Sequence, residues 1–259
     1  MAFSIIQQMQ LQSSRIITLV GAGGKTSLLY ALCTEFAQKE NTLLTTTTHI
    51  WEPHDLPGAI LVTDEDTKQL NAAFLSSRLV ALGKSGKKWS SPSLSFLAHI
   101  QNIPSRIVCE GDGSRGLPVK IPRKNEPVFY PGTDTVIGII GLSCLGKPAK
   151  TCLFGYTPNR HTLTADFPEL ATVLKEEKGI LSPRVLELIA VSPRGLKKGV
   201  TTEKFHVVFN QADCLSEENK KAIQTIAKKI RDNGDSCHIV SLKNKLFYDS
   251  YLPSAIKKN

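Results

Sequence analysis

Eight short apolar runs alternate with helical stretches along this chain, and that alternation restricts the fold more than any other feature. The runs are Ile16–Val20, Thr42–Thr46, Ile60–Thr63, Arg78–Gly83, Arg106–Glu110, Thr135–Ile140, His206–Asn210 and Cys237–Ser241. Several are nearly continuous β-branched or leucine stretches, as strands buried on both faces require. Helical stretches cover Lys25–Lys39, Asp64–Phe74, Phe167–Lys178, Pro183–Ala190 and Glu217–Asp232. The pattern predicts an α/β fold, a mostly parallel sheet with helices on both faces and right-handed crossovers. At 259 residues the chain is near the upper size for one hydrophobic core, so residues 1–259 read as a single domain.

Composition removes several classes. With 41% hydrophobic and 21% charged residues, the chain is neither disordered nor fibrous nor a disulfide miniprotein. No apolar run approaches the ~18–20 residues needed to span a bilayer, so no membrane partner is expected. The opening MAFSIIQQMQLQSSR has no basic segment before an apolar stretch and predicts no secretion signal. Six cysteines stand singly, without a CxxC pair, which points to a reducing cytoplasm and against a disulfide framework or zinc site. The net charge of +9 is spread along the chain, with lysine pairs at 197–198, 220–221 and 228–229. No aromatic interleaving accompanies it, so the lysines read as solvated and nucleic acid is not an expected partner. An anionic small ligand remains compatible with it.

The strongest chemical signal is Arg15–Leu29, RIITLVGAGGKTSLL, a buried strand entering a glycine turn and then a helix. Gly21, Ala22, Gly23, Gly24, Lys25, Thr26 and Ser27 read as a nucleotide-phosphate loop. The glycines permit positive φ and inward N–H groups, and the helix N-terminus adds partial positive charge. Lys25 supplies a point charge for the β/γ-phosphates, and the Thr26 hydroxyl suits Mg²⁺. The spacing is GxxGK[ST], similar to the phosphate loop of Mur-type ligases, since Leu19 stands where GxxxxGK[ST] needs its first glycine. A bare glycine-rich strand–helix turn would explain the glycines but not the lysine and two hydroxyls in register. The expected architecture is therefore three-layer and P-loop NTPase-like, with Lys25 exposed in a cleft.

Four further segments would complete such a site. In IVCEGDG, a strand delivers Glu110 and Asp112 to its C-terminal end, where carboxylates hold Mg²⁺. Glu110 could instead orient an attacking water, and an acidic turn is the plain alternative. Thr45–Thr48 closes another strand, and Thr47 is taken as a further candidate metal ligand, although β-branched threonine also simply suits a strand. HVVFNQAD is one residue from the NKxD signature of guanine recognition, making Asn210 and Asp213 candidate base-binding residues, or merely an Asx-capped turn. The proline- and glycine-rich stretch 111–134 is too long for a structureless connection and reads as a functional loop. Beside Glu126, the cations Arg115, Lys120, Arg123 and Lys124 lie on it, able to neutralise phosphoryl charge or grip a second anionic substrate, with solvated loop charge as the plain alternative for any one of them, Lys124 above all.

Together these residues resemble the YqeC family, accessory proteins of selenium-dependent molybdenum hydroxylases, also called selenium cofactor biosynthesis proteins. The resemblance runs through Val20–Ser27, Thr45–Thr48, Glu110–Arg115, Leu117–Lys120, Glu126–Val128, Gly146–Pro148, Arg160, Ser192–Lys198 and Asn210–Asp213. It implies a Mg²⁺-nucleotide protein acting in maturation of a selenium- and molybdenum-containing cofactor. An anionic cofactor precursor and a selenium-dependent molybdenum hydroxylase are the partners it implies. The expected catalytic set is Lys25, Glu110, Asp112, Arg115 and Lys120, with Thr26 and Asp112 holding Mg²⁺. Two readings stand, an enzyme that hydrolyses NTP or transfers phosphoryl, and a nucleotide-gated cofactor chaperone with little intrinsic catalysis.

Overall fold

The computed structural model describes residues 4–53, 56–156 and 166–248. Arg160, one of the family-like positions, lies outside them. In chain order the first half contains α1 (Ile5–Gln8), β1 (Ile16–Gly21), α2 (Lys25–Ala37), β2 (Thr42–Thr46), β3 (His49–Ile50), β4 (Ile60–Val62), α3 (Thr67–Ser76), β5 (Leu79–Leu82), β6 (Trp89–Ser90) and α4 (Leu94–Ile100). Then come β7 (Arg106–Glu110), β8 (Val119–Lys120), β9 (Thr135–Gly141), α5 (Ala149–Cys152) and β10 (Leu153–Phe154). The last part holds α6 (Pro168–Glu176), α7 (Pro183–Val191), β11 (Lys204–Asn210), α8 (Glu217–Asp232), β12 (Ser236–Ser241) and β13 (Leu246–Phe247).

Nine strands form one sheet in the order β13-β12-β11-β9-β1-β7-β2-β5-β4. Every neighbouring pair is parallel except β12–β13, which closes one edge antiparallel. All eight expected strands belong to this sheet. Side chains alternate between its faces, as strand geometry dictates. Ile17 and Leu19 of β1, Leu44, Val108, Ile137 and Ile139 enter the core under α1 and α2. Ile16, Leu43, Ile107 and Cys109 face the opposite way, under α3 and α4. On that same side Val20, Val136, Ile140, Val207 and Phe209 pack against α6, α7 and α8. The result is three layers, helices on both faces of a largely parallel sheet.

Topology fixes where a ligand can sit. The chain runs from β1 outward to β2, β4 and β5, and returns to place β7 directly beside β1. It then crosses to β9, β11 and β12 on the other side. The strand order thus reverses at β1, and ligands of open α/β sheets bind beyond the strand C-termini at such a point. Both chemical motifs, after Val20 and after Cys109, leave the sheet there, with Leu19 in register with Glu110.

The long stretch 111–134 is not bare loop. Val119–Lys120 forms β8, which pairs in parallel with β10 and so pins the loop's middle. Antiparallel β3 and β6 form a second two-residue ladder near the same edge. Two-residue strands carry no periodicity for a sequence pattern to reveal. Among the described residues no helix is long and apolar enough to cross a membrane. No two cysteines are joined in a disulfide, and only Cys214 is exposed.

Buried histidines on β11 and β12 give the fold an acid-sensitive seam. The His206 and His238 rings stack with centroids 5.6 Å apart. Burial lowers the pKa of His206 to about 4, with Lys204 adding to the effect, and that of His238 to about 3, with His206 and then Arg231 adding to it. The unfolded chain takes up these protons near pH 6.5. Stability is therefore full above pH 6.5 and falls as the solution is acidified, by roughly 3 kcal/mol per ring at pH 4. Urea unfolding of His238→Phe should show a shallower loss between pH 6.5 and 4 than the parent; parallel curves would contradict this.

Candidate functional site

Backbone geometry of the glycine turn comes first. Gly21, Gly23 and Gly24 have φ of 93°, 88° and 131°, values that L side chains rarely adopt. A Cβ on Gly23 would sit 2.2 Å from Gly141 N and 2.6 Å from Pro118 O, so the turn is pressed against β9 and the 111–134 segment. Two amides of the expected cradle turn inward. Gly21 N donates to both Asp112 carboxylate oxygens, at 3.0 and 3.1 Å, and Ala22 N to Ile139 O at 2.9 Å. Gly21 and Ala22 are buried and do not line the cleft, whereas Gly23, Gly24, Lys25, Thr26 and Ser27 do. The cleft-facing part of the turn thus begins at Gly23 and runs into the first turn of α2, whose N–H groups have no intrahelical acceptors.

Lys25 departs from expectation. It is 4% exposed rather than free in the cleft. Its ammonium donates to the Gly21 carbonyl and lies 3.2 Å from Asp112 Oδ1 and 3.6 Å from Glu110 Oε1. The cause is long-range: β7 beside β1 brings two carboxylates beneath the turn. Asp112, fully buried, also holds Lys120 Nζ at 3.2 Å. Lys120, equally buried, reaches Glu126 Oε2 at 2.7 Å and donates to Gly113 O at 2.6 Å. An alternating chain Lys25–Asp112–Lys120–Glu126 therefore runs under the cleft floor. Asp112 and Lys120 do not line the cleft, so direct contact with a ligand is not their position.

Glu110 is different. It lines the cleft, is 5% exposed, and its Oε2 has no hydrogen-bond partner. Burial raises its pKa, Lys25 opposes that, and the Asp112 charge adds to it. Thr26 and Ser27 are exposed on the same cleft, whose volume is about 900 Å³. Thr47, the expected further metal ligand, does not line the cleft: its hydroxyl donates to Val128 O at 2.5 Å, within 3.4 Å of Glu110 O. The neighbouring Thr48 lines the cleft instead. So do Trp51, Lys88, Ser143 and Phe154, which no motif pointed to, and Gln211 of the NQAD motif, which is not among the candidates. The Trp51 ring is 76% exposed and carries Lys88 Nζ 5.5 Å from its centroid, whereas Trp89 is 2% exposed. Among the described residues no three His, Cys, Asp or Glu side chains converge to cage a metal ion.

The sequence model of the family described as YqeC protein matches residues 17–156, more than half of the chain. The chain belongs to the YqeC family. The matched YqeC span holds the glycine turn, Glu110, the whole buried charge chain and Phe154. The "Uncharacterized protein YqeC" of Escherichia coli (strain K12) is 34% identical over 143 residues, covering 52% of this chain and 55% of that protein. The chain thus spans about half the length of the curated relative it matches.

Asn210 and Asp213 lie beyond the YqeC match and separate from each other in role. Asn210 Nδ2 donates to Gly23 O at 2.8 Å, and its Oδ1 accepts from Leu242 N at 3.1 Å. It braces the glycine turn from behind. Asp213 is exposed and does not line the cleft; Gln211, in a left-handed conformation (φ 68°), does. Asn210→Ala leaves two backbone groups without partners and should cost about 1–3 kcal/mol by urea unfolding. Asp213→Ala should leave stability and nucleotide-induced thermal shift as in the parent. A loss of the shift in Asp213→Ala would restore that residue to the site.

Proposed function

We propose that this protein binds a Mg²⁺–nucleoside triphosphate and hydrolyses it, or transfers its terminal phosphoryl group, in maturation of the cofactor of a selenium-dependent molybdenum hydroxylase. The observation that carries the reading is Glu110, buried at the cleft floor with one oxygen unpartnered, beside a helix N-terminus that begins Gly24-Lys25-Thr26. The residues fit the ligand. Mg²⁺ takes one or two protein oxygens and completes its shell with phosphates and water; the Thr26 hydroxyl is such an oxygen on the cleft, and the unpartnered Glu110 Oε2 beside it is left to take a proton. Bound Mg²⁺ would neutralise phosphate charge and orient the terminal group. The helix N-terminus and the amides from Gly23 onward receive the polyphosphate. Lys25 moves from Asp112 toward it. Glu110, its pKa raised, accepts at Oε2 the proton of an attacking water or substrate hydroxyl. The place in cofactor maturation is supported by membership of the YqeC family and by the motif run from Glu110 to Val128.

A second reading, the nucleotide-gated chaperone, is favoured by the buried charge chain. A polyphosphate that engages Lys25 removes one of the two cations on Asp112, and Asp112 is linked through Lys120 to Glu126 in the 111–134 segment. Thermal shifts with Mg²⁺ and ATP, GTP, CTP or UTP, followed by phosphate-release assays, test the nucleotide reading. At least one nucleotide should raise the thermal midpoint in a Mg²⁺-dependent way; no shift with any would overturn it. Nucleotide-dependent protection of 111–134 from protease without turnover selects the gated reading, and turnover selects the enzyme.

A further inference from the structure

Four cations and two carboxylates line the cleft, and the cations are not evenly used. Lys25 is held by carboxylates, and Lys88 lies over Trp51. Arg115 and Arg123 have no carboxylate within ion-pair distance among the described residues. Both converge on one ring: their guanidinium carbons lie 5.9 and 4.8 Å from the Phe154 centroid, and Lys120 Nζ lies 5.3 Å from it. An aromatic face attracts a cation by about 0.5–2 kcal/mol, and this one gathers three positive charges at one end of the cleft. Lys120 has its anions in Asp112 and Glu126; the two exposed arginines have none. Arg115 is moreover held at φ 51°, a conformation costly for a residue with a side chain and concentrated at ligand sites.

We infer that Arg115 and Arg123, seated on Phe154, form a second anion subsite that takes the phosphate of a phosphomonoester, the partner substrate of the nucleotide. The inference rests on the nucleotide reading only for the first subsite's occupant. Paired guanidinium forks match phosphate oxygens in number and geometry. The ring fixes both forks at low entropic cost, because β10 pairs with β8 and holds Phe154 in register with Lys120. Glu110 lines the same cleft, so a molecule anchored by its phosphate at Phe154 can present a hydroxyl to Oε2. A cleft of about 900 Å³ is at the upper end for a single small ligand.

The test is isothermal titration with phenyl phosphate, on the ligand-free protein and on protein saturated with Mg²⁺ and a non-hydrolysable nucleotide analogue. The double variant R115Q/R123Q should bind phenyl phosphate at least tenfold more weakly than the parent in both states. Its thermal shift with the analogue should equal the parent's. Lys124→Gln, which removes an exposed charge on the same loop, should leave phenyl phosphate affinity unchanged. Equal affinity in R115Q/R123Q and parent, absence of binding to the parent, or equal weakening by Lys124→Gln overturns the subsite. If the analogue gives no shift in the parent while the arginine variant still loses phenyl phosphate, the nucleotide reading fails and the anion subsite stands.

Discussion

Lys25→Ala is expected to lower stability by about 3–5 kcal/mol, because removing one partner of a buried ion pair leaves the other uncompensated. For a chain of this size that is a fall in thermal midpoint on the order of 10 °C. The same substitution should abolish the nucleotide-induced shift. The stability loss has a pH signature. Burial already raises the Glu110 pKa, and Lys25 opposes that rise. Without the ammonium the folded-state pKa climbs further above the unfolded value, so the folded form binds the extra proton and regains stability as pH falls through that range. The gap between variant and parent should narrow from pH 7 to pH 5 in urea unfolding. A variant as stable as the parent at pH 7 would contradict the buried placement of the ammonium. A retained nucleotide shift would remove Lys25 from the ligand.

Glu110→Gln should produce the opposite pattern. The amide is nearly isosteric and carries no charge to desolvate, so the thermal midpoint should hold or rise. Nucleotide binding should persist, since Lys25 keeps its contacts to Asp112 and Gly21 O. Turnover of the preferred nucleotide should fall by about 10²–10⁴-fold, the usual contribution of a positioned base. Phosphate release at saturating nucleotide measures it. Turnover within a few-fold of the parent would remove Glu110 as the base. A collapse of stability would instead make it a structural partner of Lys25.

The sheet was readable because its strands are buried on both faces and so appear as unbroken apolar runs, Arg106–Glu110 and Thr135–Ile140 among them. The glycine turn was readable because its φ values leave few other residues possible at positions 21, 23 and 24. The orientation of Lys25 was not, since it depends on β7 pairing beside β1, a register between residues 91 apart such as Leu19 and Glu110. The same holds for Asn210 on Gly23 O, a contact spanning 187 positions. Thr47 and Thr48 are indistinguishable by type; only the path of the chain after β2 decides which meets carbonyls and which meets the cleft. Phe154 carries no local signal at all, and becomes informative only once two arginines from the 111–134 stretch are seen around it.

Nature has given this molecule a built-in optical pair. One indole, Trp51, stands in water at the rim; the other, Trp89, is sealed away beside Gly83. A guest seated at the rim would strip solvent from the first and leave the second as it is, so native emission would divide into a sensing component and an internal standard, with no dye attached.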